Sequence, residues 1–185
     1  MRDAETGSKG GTDPLATSDR PVRAVLFVCT ANICRSPMAE AVARRRAAEL
    51  GLSLVVDSAG TSDVQVGCPP DPRACLVLRR RGYLPPERQA RRVRSEDFVR
   101  FDLVLGATRG HVRELCRLAP PSATARILPL LAFAPQTASL DIPDPWSGDV
   151  ADYDRALDLI ERGIEGLLSR LGKPAGEQER REVRQ

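Results

Sequence analysis

Hydrophobic residues fall into short apolar runs that alternate with stretches of helical spacing. The run at residues 22–29 predicts a buried strand, and residues 52–58, 101–105 and 126–131 predict three more. Helical spacing is clearest near the end of the chain, where apolar residues recur three or four positions apart: Tyr153, Leu157, Ile160, Ile164, Leu168 and Leu171. Further helices are predicted over 36–50, 71–81 and 111–118. This alternation indicates an α/β fold, a three-layer sandwich with a four-stranded parallel sheet.

The helix after the first strand carries its own start and stop signals. Ser36 is a favourable N-cap residue, and Pro37 suits the first helical position. Gly51 ends the helix. Ligands of parallel sheets bind beyond the carboxyl ends of the strands, so the segment between the first strand and this helix is a candidate binding site.

The two ends of the 185-residue chain differ from its middle. Residues 1–20 and 173–185 are polar and rich in Gly, Pro or charge, so we expect a disordered leader, one domain over 21–172 and a disordered tail. No apolar run approaches the roughly 18 residues that span a bilayer, and no signal peptide is evident. An odd number of cysteines, five, favours reduced thiols, so we expect a cytoplasmic location.

The segment after the first strand contains the pattern Cys-x5-Arg-Ser, from Cys29 to Arg35 and Ser36. Five intervening residues can form a cradle of inward-pointing backbone N–H groups, and the helix N-terminus adds a favourable dipole for a phosphate dianion. Arg35 can hold two phosphate oxygens, and the same positive field favours a nucleophilic Cys29 thiolate, to which Ser36 can donate. Asn32 suits a left-handed turn in the loop. The alternative is a buried structural Cys29.

The Cys-x5-Arg spacing alone is weakly specific in this chain. Of its 28 basic residues only Lys9 and Lys173 are lysines, so 26 are Arg. About 0.7 chance matches to the spacing are therefore expected. Cys75 and Arg81 indeed repeat it, but inside a predicted helix that cannot form a cradle, so we expect Cys75 to be a buried helical thiol.

Residues 29–40, Cys-Thr-Ala-Asn-Ile-Cys-Arg-Ser-Pro-Met-Ala-Glu, resemble the signature loop of the low-molecular-weight protein tyrosine phosphatases. Later segments resemble further blocks of that family in the same order: Asp57-Ser-Ala-Gly-Thr61, Asp71-Pro-Arg-Ala74, Asp97-Phe98, Phe101-Asp102-Leu103 and Asp144-Pro145-Trp146. The segment that begins at His111 resembles the bacterial branch of the family. That branch is linked to tyrosine kinases of capsule and exopolysaccharide export.

The resemblance implies a two-step reaction without metal or cofactor. Cys29 would attack phosphorus and form a cysteinyl-phosphate, while Arg35 clamps the phosphate. Asp144 would protonate the departing phenolate and then act as a base on the hydrolytic water. The implied substrates are phosphotyrosine proteins, among them a bacterial tyrosine kinase of polysaccharide export.

The resemblance also assigns the binding residues, which lie mainly in the loop: Thr30, Ala31, Asn32, Ile33, Cys34 and Ser36. Ile33 stands where related arginine phosphatases carry Thr, and its side chain leaves room for a phenyl ring. Trp146 would form the other wall of the ring pocket. Cys34 would trap oxidised Cys29 as a disulfide.

Three positions depart from the family pattern. The chain has Ala107-Thr108 in place of Met-Asp, Arg88 in place of His, and Val64-Gln65 in place of an aromatic residue. We expect the first two to loosen a supporting polar pair and the third to weaken contact with the substrate ring. His111 is expected to be structural or exposed, and Cys116 to lie in the core.

Residues 79–94 carry seven Arg against one Glu. This segment is either a solvated surface or a site that steers acidic phosphoproteins. Tyr83 is its single aromatic residue, so nucleic-acid binding is not expected. Two other functions remain open for the whole chain: an arsenate reductase of similar fold, and a non-catalytic phosphotyrosine-binding module.

Overall fold

The structure is a computed structural model that describes residues 14–15 and 21–172. Its centre is a sheet of four parallel strands in the order β2-β1-β3-β4. The strands are β1 (Ala24–Cys29), β2 (Val55–Gly60), β3 (Leu103–Gly106) and β4 (Arg126–Pro129). The predicted α/β fold with a four-stranded parallel sheet is confirmed, with strand ends displaced by up to three residues.

Helices cover both faces of this sheet, which gives the predicted three layers. They are α1 (Arg35–Glu49), α2 (Pro72–Arg80), α3 (Asp97–Arg100), α4 (Arg109–Leu118) and α5 (Val150–Leu171). On one face α5 contacts both α1 and α2, and on the other α4 contacts β3 and β4. The short helix α3 was not predicted, since one helical turn has too few residues to show a period.

The sequence of β1 explains why the sheet is covered on both sides. Every residue of β1 is buried, which explains why the strand is apolar at every position. Its alternate side chains enter two different clusters because successive residues of a strand point to opposite faces. One cluster, shared with α1, α2 and α5, receives Val25, Phe27 and Cys29. The other, shared with α3 and α4, receives Ala24, Leu26 and Val28.

The start of α1 differs from its prediction. The N-cap residue is Cys34, without a side-chain cap, and Ser36 lies within the first helical turn. Ser36 is not the cap because its hydroxyl points toward β2, where it donates to the carbonyl of Ala59 at 3.2 Å. Pro37 is accordingly the third helical residue, where its missing N–H is still one of the unpaired first-turn groups.

The chain does not continue as a strand to residue 131. A 3-10 helix, Leu130–Phe133, follows β4 directly. Gly163 of α5 lies against this turn so closely that an added Cβ would be 2.8 Å from Cγ of Leu130. Glycine at position 163 therefore allows α5 to pack closely against the 3-10 helix.

The predicted leader and tail fall almost wholly outside the described residues. Of the leader the structure describes residues 14–15, and Arg126 donates hydrogen bonds to the carbonyls of Pro14 and Leu15. The tail at 173–185 is not among the described residues. The domain bounds 21–172 stay a prediction.

Candidate active site

The loop between β1 and α1 forms a cradle at the carboxyl end of the sheet. Asn32 has a φ of 59°, which confirms the predicted left-handed turn. Cys29 is buried at the start of the loop, and its Sγ lies 3.1 Å from the Ser36 hydroxyl. The Cys29–Ser36 contact predicted from the spacing is therefore present.

Asn32 holds the loop from behind with its side-chain amide. Its Nδ2 donates to the hydroxyls of Ser36 at 2.9 Å and Ser58 at 2.8 Å, and its Oδ1 accepts from the backbone N–H of Arg91 at 3.0 Å. Gly60 allows β2 to pack closely against the loop, because an added Cβ at this position would lie 2.6 Å from the carbonyl oxygen of Thr30. The loop therefore has little freedom to relax.

A buried ion pair extends this support. Ser58 donates to Glu40, which is fully buried in α1, and Arg88 donates to the same carboxylate oxygen at 2.6 Å. Arg88 also pairs with Asp57 at 3.2 Å. The expectation that Arg88 loosens the supporting polar pair is wrong, because its guanidinium reaches both Glu40 and Ser58.

Arg35 and Asp144 meet across the mouth of the cradle. Nη2 of Arg35 lies 2.6 Å from Oδ2 of Asp144, and Nη1 donates to the carbonyl of Ile142 at 3.1 Å. Nε of Arg35 is buried and has no hydrogen-bond partner among the described residues. A buried donor of this kind is costly unless a ligand accepts a hydrogen bond from it, which suits an oxyanion in the cradle.

These groups surround a cavity of about 210 Å³. Eight of the ten predicted site residues line it, together with Val64 and Gln65: Cys29, Thr30, Ala31, Ile33, Cys34, Arg35, Asp144 and Trp146. The remaining two, Asn32 and Ser36, are buried behind the loop. Val64 also lines the cavity and is 71% exposed. An apolar side chain is therefore still present at the position where the family pattern has an aromatic residue.

Cys34 lies beside the cradle but does not resemble Cys29 in its surroundings. Its Sγ is 3.3 Å from the Tyr153 hydroxyl. Burial raises the pKa of the Cys34 thiol to about 12, although the hydrogen bond to Tyr153 opposes this shift. Cys34 is therefore a neutral thiol at physiological pH, and both Cys29 and Cys34 are free.

Thr108 and His111 connect the same loop to α4. His111 is buried, and its Nε2 lies 2.9 Å from Oγ1 of Thr30, while its Nδ1 lies 2.9 Å from Oγ1 of Thr108. Thr108 also caps α4 by accepting from the backbone N–H of His111 at 3.1 Å. Burial, followed by the nearby Arg35 cation, lowers the pKa of His111 to about 4. Thr108 therefore supports the loop rather than loosening it.

Cys75 and Cys116 are not among the residues that line this cavity. Cys75 lies in α2 as predicted, but it is only partly buried, so the predicted full burial is wrong. Cys116 is exposed, so its predicted core position is wrong: in α4 the buried positions are those of His111 and Leu115, and the next residue turns to solvent.

Much of the charge in the basic segment is paired with acidic residues. Arg81 contacts three carboxylates of α5, at 2.6 to 3.1 Å: Asp154, Asp158 and Glu161. Arg91 contacts Asp57 and Asp97, both at 2.8 Å. The steering hypothesis loses much of its basis, because Arg81, Arg88 and Arg91 are held in the folded domain by their own counter-charges.

Two further findings concern the described residues, 14–15 and 21–172. Within them, no group of three or more His, Cys, Asp or Glu side chains is placed to hold a metal ion. No helix in this part of the chain has the length and apolarity needed to cross a bilayer.

Comparison with known proteins agrees with this geometry. The family model described as "Low molecular weight phosphotyrosine protein phosphatase" matches residues 24–177. A low molecular weight protein-tyrosine-phosphatase of Streptomyces coelicolor is 43% identical over 150 residues, which cover 78% of this chain and 91% of the relative. The chain therefore belongs to the low-molecular-weight protein tyrosine phosphatase family, and it is a phosphatase enzyme.

Solved structures share the fold. The crystal structure of YfkJ from Bacillus subtilis has a TM-score of 0.77 and 34% identity, with 85% of this chain and 99% of that chain covered. A drosophila arginine phosphatase also has a TM-score of 0.77, at 29% identity, with 81% of this chain and 98% of that chain covered. The fold is thus shared with a protein named an arginine phosphatase.

Proposed function

We propose that the chain hydrolyses phosphotyrosine in proteins through a cysteinyl-phosphate on Cys29. One observation carries the proposal: Cys29, Arg35 and Asp144 line a single cavity, and the buried Nε of Arg35 has no hydrogen-bond partner among the described residues. A nucleophile, an oxyanion clamp and a proton donor are the three groups that phosphoryl transfer through a covalent enzyme intermediate requires.

In the first step, the Cys29 thiolate forms a bond to phosphorus as the bond from phosphorus to the phenolic oxygen breaks. The Ser36 hydroxyl accepts from Asn32 and has one proton to donate, to the carbonyl of Ala59 or to Cys29. A thiolate is the stronger acceptor, so Ser36 turns its proton to Cys29 and stabilises the attacking form. Backbone N–H groups of the loop and the N-terminus of α1 hold the phosphate oxygens.

Asp144 serves both steps. It gives its proton to the departing phenolate, then takes a proton from the water that attacks the cysteinyl-phosphate, which releases inorganic phosphate and restores the Cys29 thiolate. Its side chain is 51% exposed and reaches the mouth of the cavity, where leaving group and water both pass. The phosphate accepts from Nε and Nη2 of Arg35, so Asp144 exchanges its contact with Nη2 for one with the leaving oxygen.

The walls of the cavity favour an aromatic leaving group. Ile33, Trp146 and Val64 are among its lining residues. A phenyl ring between Ile33 and the indole buries apolar area that a flexible guanidino side chain does not match. We therefore favour phosphotyrosine over phosphoarginine, and direct competition between the two substrates tests that preference.

Cys34 is proposed as the redox partner of Cys29. After a peroxide oxidises Cys29 to the sulfenic acid, the Cys34 sulfur attacks it, water leaves, and a disulfide forms. Because its raised pKa keeps Cys34 neutral, this trap is slow.

We also propose a cytoplasmic location for the protein. The proposed partner is a tyrosine kinase of polysaccharide export, and dephosphorylation of such a kinase by the purified enzyme tests this partner.

The first experiment measures p-nitrophenyl phosphate hydrolysis in EDTA at mildly acidic pH for the wild type, Cys29→Ser and Cys75→Ser. Cys75→Ser is the matched control, since Cys75 has the same spacing to an arginine but lies in α2. We expect turnover that falls by at least about 10⁴-fold in Cys29→Ser alone. Phosphopeptide binding without turnover in the wild type would favour a binding module, and arsenate-dependent consumption of a thiol reductant would favour an arsenate reductase.

A further inference from the structure

Arg73, the second residue of α2, contacts the loop that carries Asp144 and Trp146. Its Nε and Nη2 donate to the two carboxylate oxygens of Asp71 at 3.0 and 2.9 Å. Its remaining nitrogen, Nη1, donates to the carbonyl of Gly148 at 2.8 Å. All three guanidinium nitrogens are therefore engaged in a fixed fork, a geometry that lysine cannot reproduce.

The same guanidinium contacts two aromatic rings. Its Cζ lies 4.7 Å from the centroid of Tyr153 and 5.8 Å from that of Trp146, both within the range of a cation–π contact. Trp146 is 50% exposed, so these contacts hold a ring that would otherwise be free to turn. The backbone N–H of Trp146 also donates to Asp144 at 3.2 Å, which couples the ring to the proton donor.

Asp71 connects this assembly to Ile33, another residue that lines the cavity. Its carboxylate caps α2 by accepting from the backbone N–H of Arg73 at 2.8 Å. Its own backbone N–H donates to the carbonyl of Ile33 at 2.8 Å. Since Ile33 and Trp146 both line the cavity, Arg73 and Asp71 together connect these two lining residues.

We infer that Arg73 is a positioning residue that holds Trp146 at a fixed separation from Ile33 and so sets the preference of the cavity for aryl phosphates. Arg73 touches neither phosphate nor leaving group in this account and acts through Trp146. The effect of Arg73 on the preference for aryl phosphates rests on the proposed function. The role of Arg73 in holding Trp146 in place does not.

The test uses Arg73→Lys and Arg73→Met, with Arg80→Met at the exposed far end of α2 as the matched control. We expect KM for phosphotyrosine to rise about tenfold in both Arg73 variants, with a smaller change in kcat. KM for acetyl phosphate, which has no ring, changes less, so the ratio of the two KM values rises. A loss of stability alone would not alter that ratio.

The fluorescence of Trp146 provides a second readout that needs no turnover, because it is the single tryptophan of the chain. We expect red-shifted emission and stronger acrylamide quenching in both Arg73 variants and not in Arg80→Met. Unchanged fluorescence in folded Arg73→Lys would overturn the inference. If the wild type has no activity but fluorescence responds as expected, the proposed function fails while the role of Arg73 in holding Trp146 stands.

A double variant tests the route of the effect. If Arg73 acts through Trp146, adding Arg73→Lys to Trp146→Leu raises KM for phosphotyrosine no further. Additive effects would contradict the inference, since Arg73 would then influence the cavity by some other contact.

Discussion

The two loops that meet at the cavity are held in opposite ways. In the phosphate loop, residues 29–36, the residues Asn32, Arg35 and Ser36 are at most 4% exposed. Asn32 and Ser36 are bonded to β2, through the Ser58 hydroxyl and the Ala59 carbonyl. In the acid loop, residues 142–149, Asp144 and Trp146 are about half exposed and are held by an ion pair and a cation–π contact. The same cavity thus combines a buried, cross-braced half with an exposed half.

The difference matches what each half has to do in the proposed reaction. A nucleophile and an oxyanion cradle gain from being pre-organised, because any reorganisation during the reaction adds to the barrier. A proton donor that later activates water must be reached by leaving group and solvent in turn. Burial of Asp144 to the same degree as Arg35 would hinder the second role.

Among the variants that test this difference between the two loops, we expect Asp144→Asn to have the largest effect. We expect kcat for phosphotyrosine to fall by about 10²- to 10³-fold, because the asparagine amide cannot donate the proton that the phenolate needs. The loss with p-nitrophenyl phosphate is smaller, since p-nitrophenolate leaves without help. Asp141→Asn, which breaks an exposed pair with Arg109, is the control and leaves kcat nearly unchanged. Equal losses for the two substrates would argue against an acid role.

The next effect concerns the support beneath the phosphate loop. Arg88→Met removes a partner of the fully buried Glu40 and is expected to lower the free energy of unfolding by about 3 kcal/mol. Urea unfolding measures it, with exposed Arg92→Met as the matched control. An Arg88 variant as stable as the control would mean that the pair does not brace the loop.

A third, smaller effect is a dependence of stability on pH through His111. Its pKa is about 4 in the folded protein and about 6.5 when unfolded, so the unfolded state binds more protons between these values. The contribution of His111 to stability is therefore complete above pH 6.5 and is lost as pH falls toward 4. Lowering pH from about 7.5 to about 5 should cost about 2 kcal/mol through this group. His111→Gln should flatten the pH profile of unfolding by that amount, and an unchanged profile would contradict the assignment.

The smallest effect separates two contributions of Asn32. Asn32→Gly keeps the left-handed backbone but loses the amide, whereas Asn32→Ala loses the amide and strains the backbone at a φ of 59°. We expect the alanine variant to be less stable than the glycine variant by about 1 kcal/mol. Chemical denaturation of both variants checks this, and equal stabilities would mean that the loop relaxes around residue 32.

Local patterns predicted the buried half well. The apolar run of β1, the Cys-x5-Arg spacing and the left-handed Asn32 are all encoded within a few residues, so short-range rules suffice to find the cradle. The place of Ser36 was misjudged because a favourable capping residue can instead turn its hydroxyl toward a loop. The sequence offers no local sign of that choice.

The exposed half depends on contacts between distant parts of the chain. Arg73 donates to the carbonyl of Gly148, 75 positions away. A contact of the same kind reaches the phosphate loop, where His111 bonds Thr30 across 81 positions. Hydrophobic periodicity along the chain carries no information about such long-range pairs. The roles of Arg73, His111 and Tyr153 were therefore not predicted from the sequence. Asp144 and Trp146 were identified through family resemblance and not through pattern, since an Asp-Pro dipeptide alone is more typical of a turn.

The most direct test of the central claim is to trap the intermediate. The wild type, mixed with p-nitrophenyl phosphate in EDTA and quenched within milliseconds, is digested and mapped for a phosphoryl group by mass spectrometry. Formation of a cysteinyl-phosphate predicts one phosphoryl group on the peptide that contains Cys29, absent in Cys29→Ser and still present in Cys75→Ser. A phosphoryl group on any other residue, or turnover with full activity and no phosphoryl group on Cys29, would contradict the account.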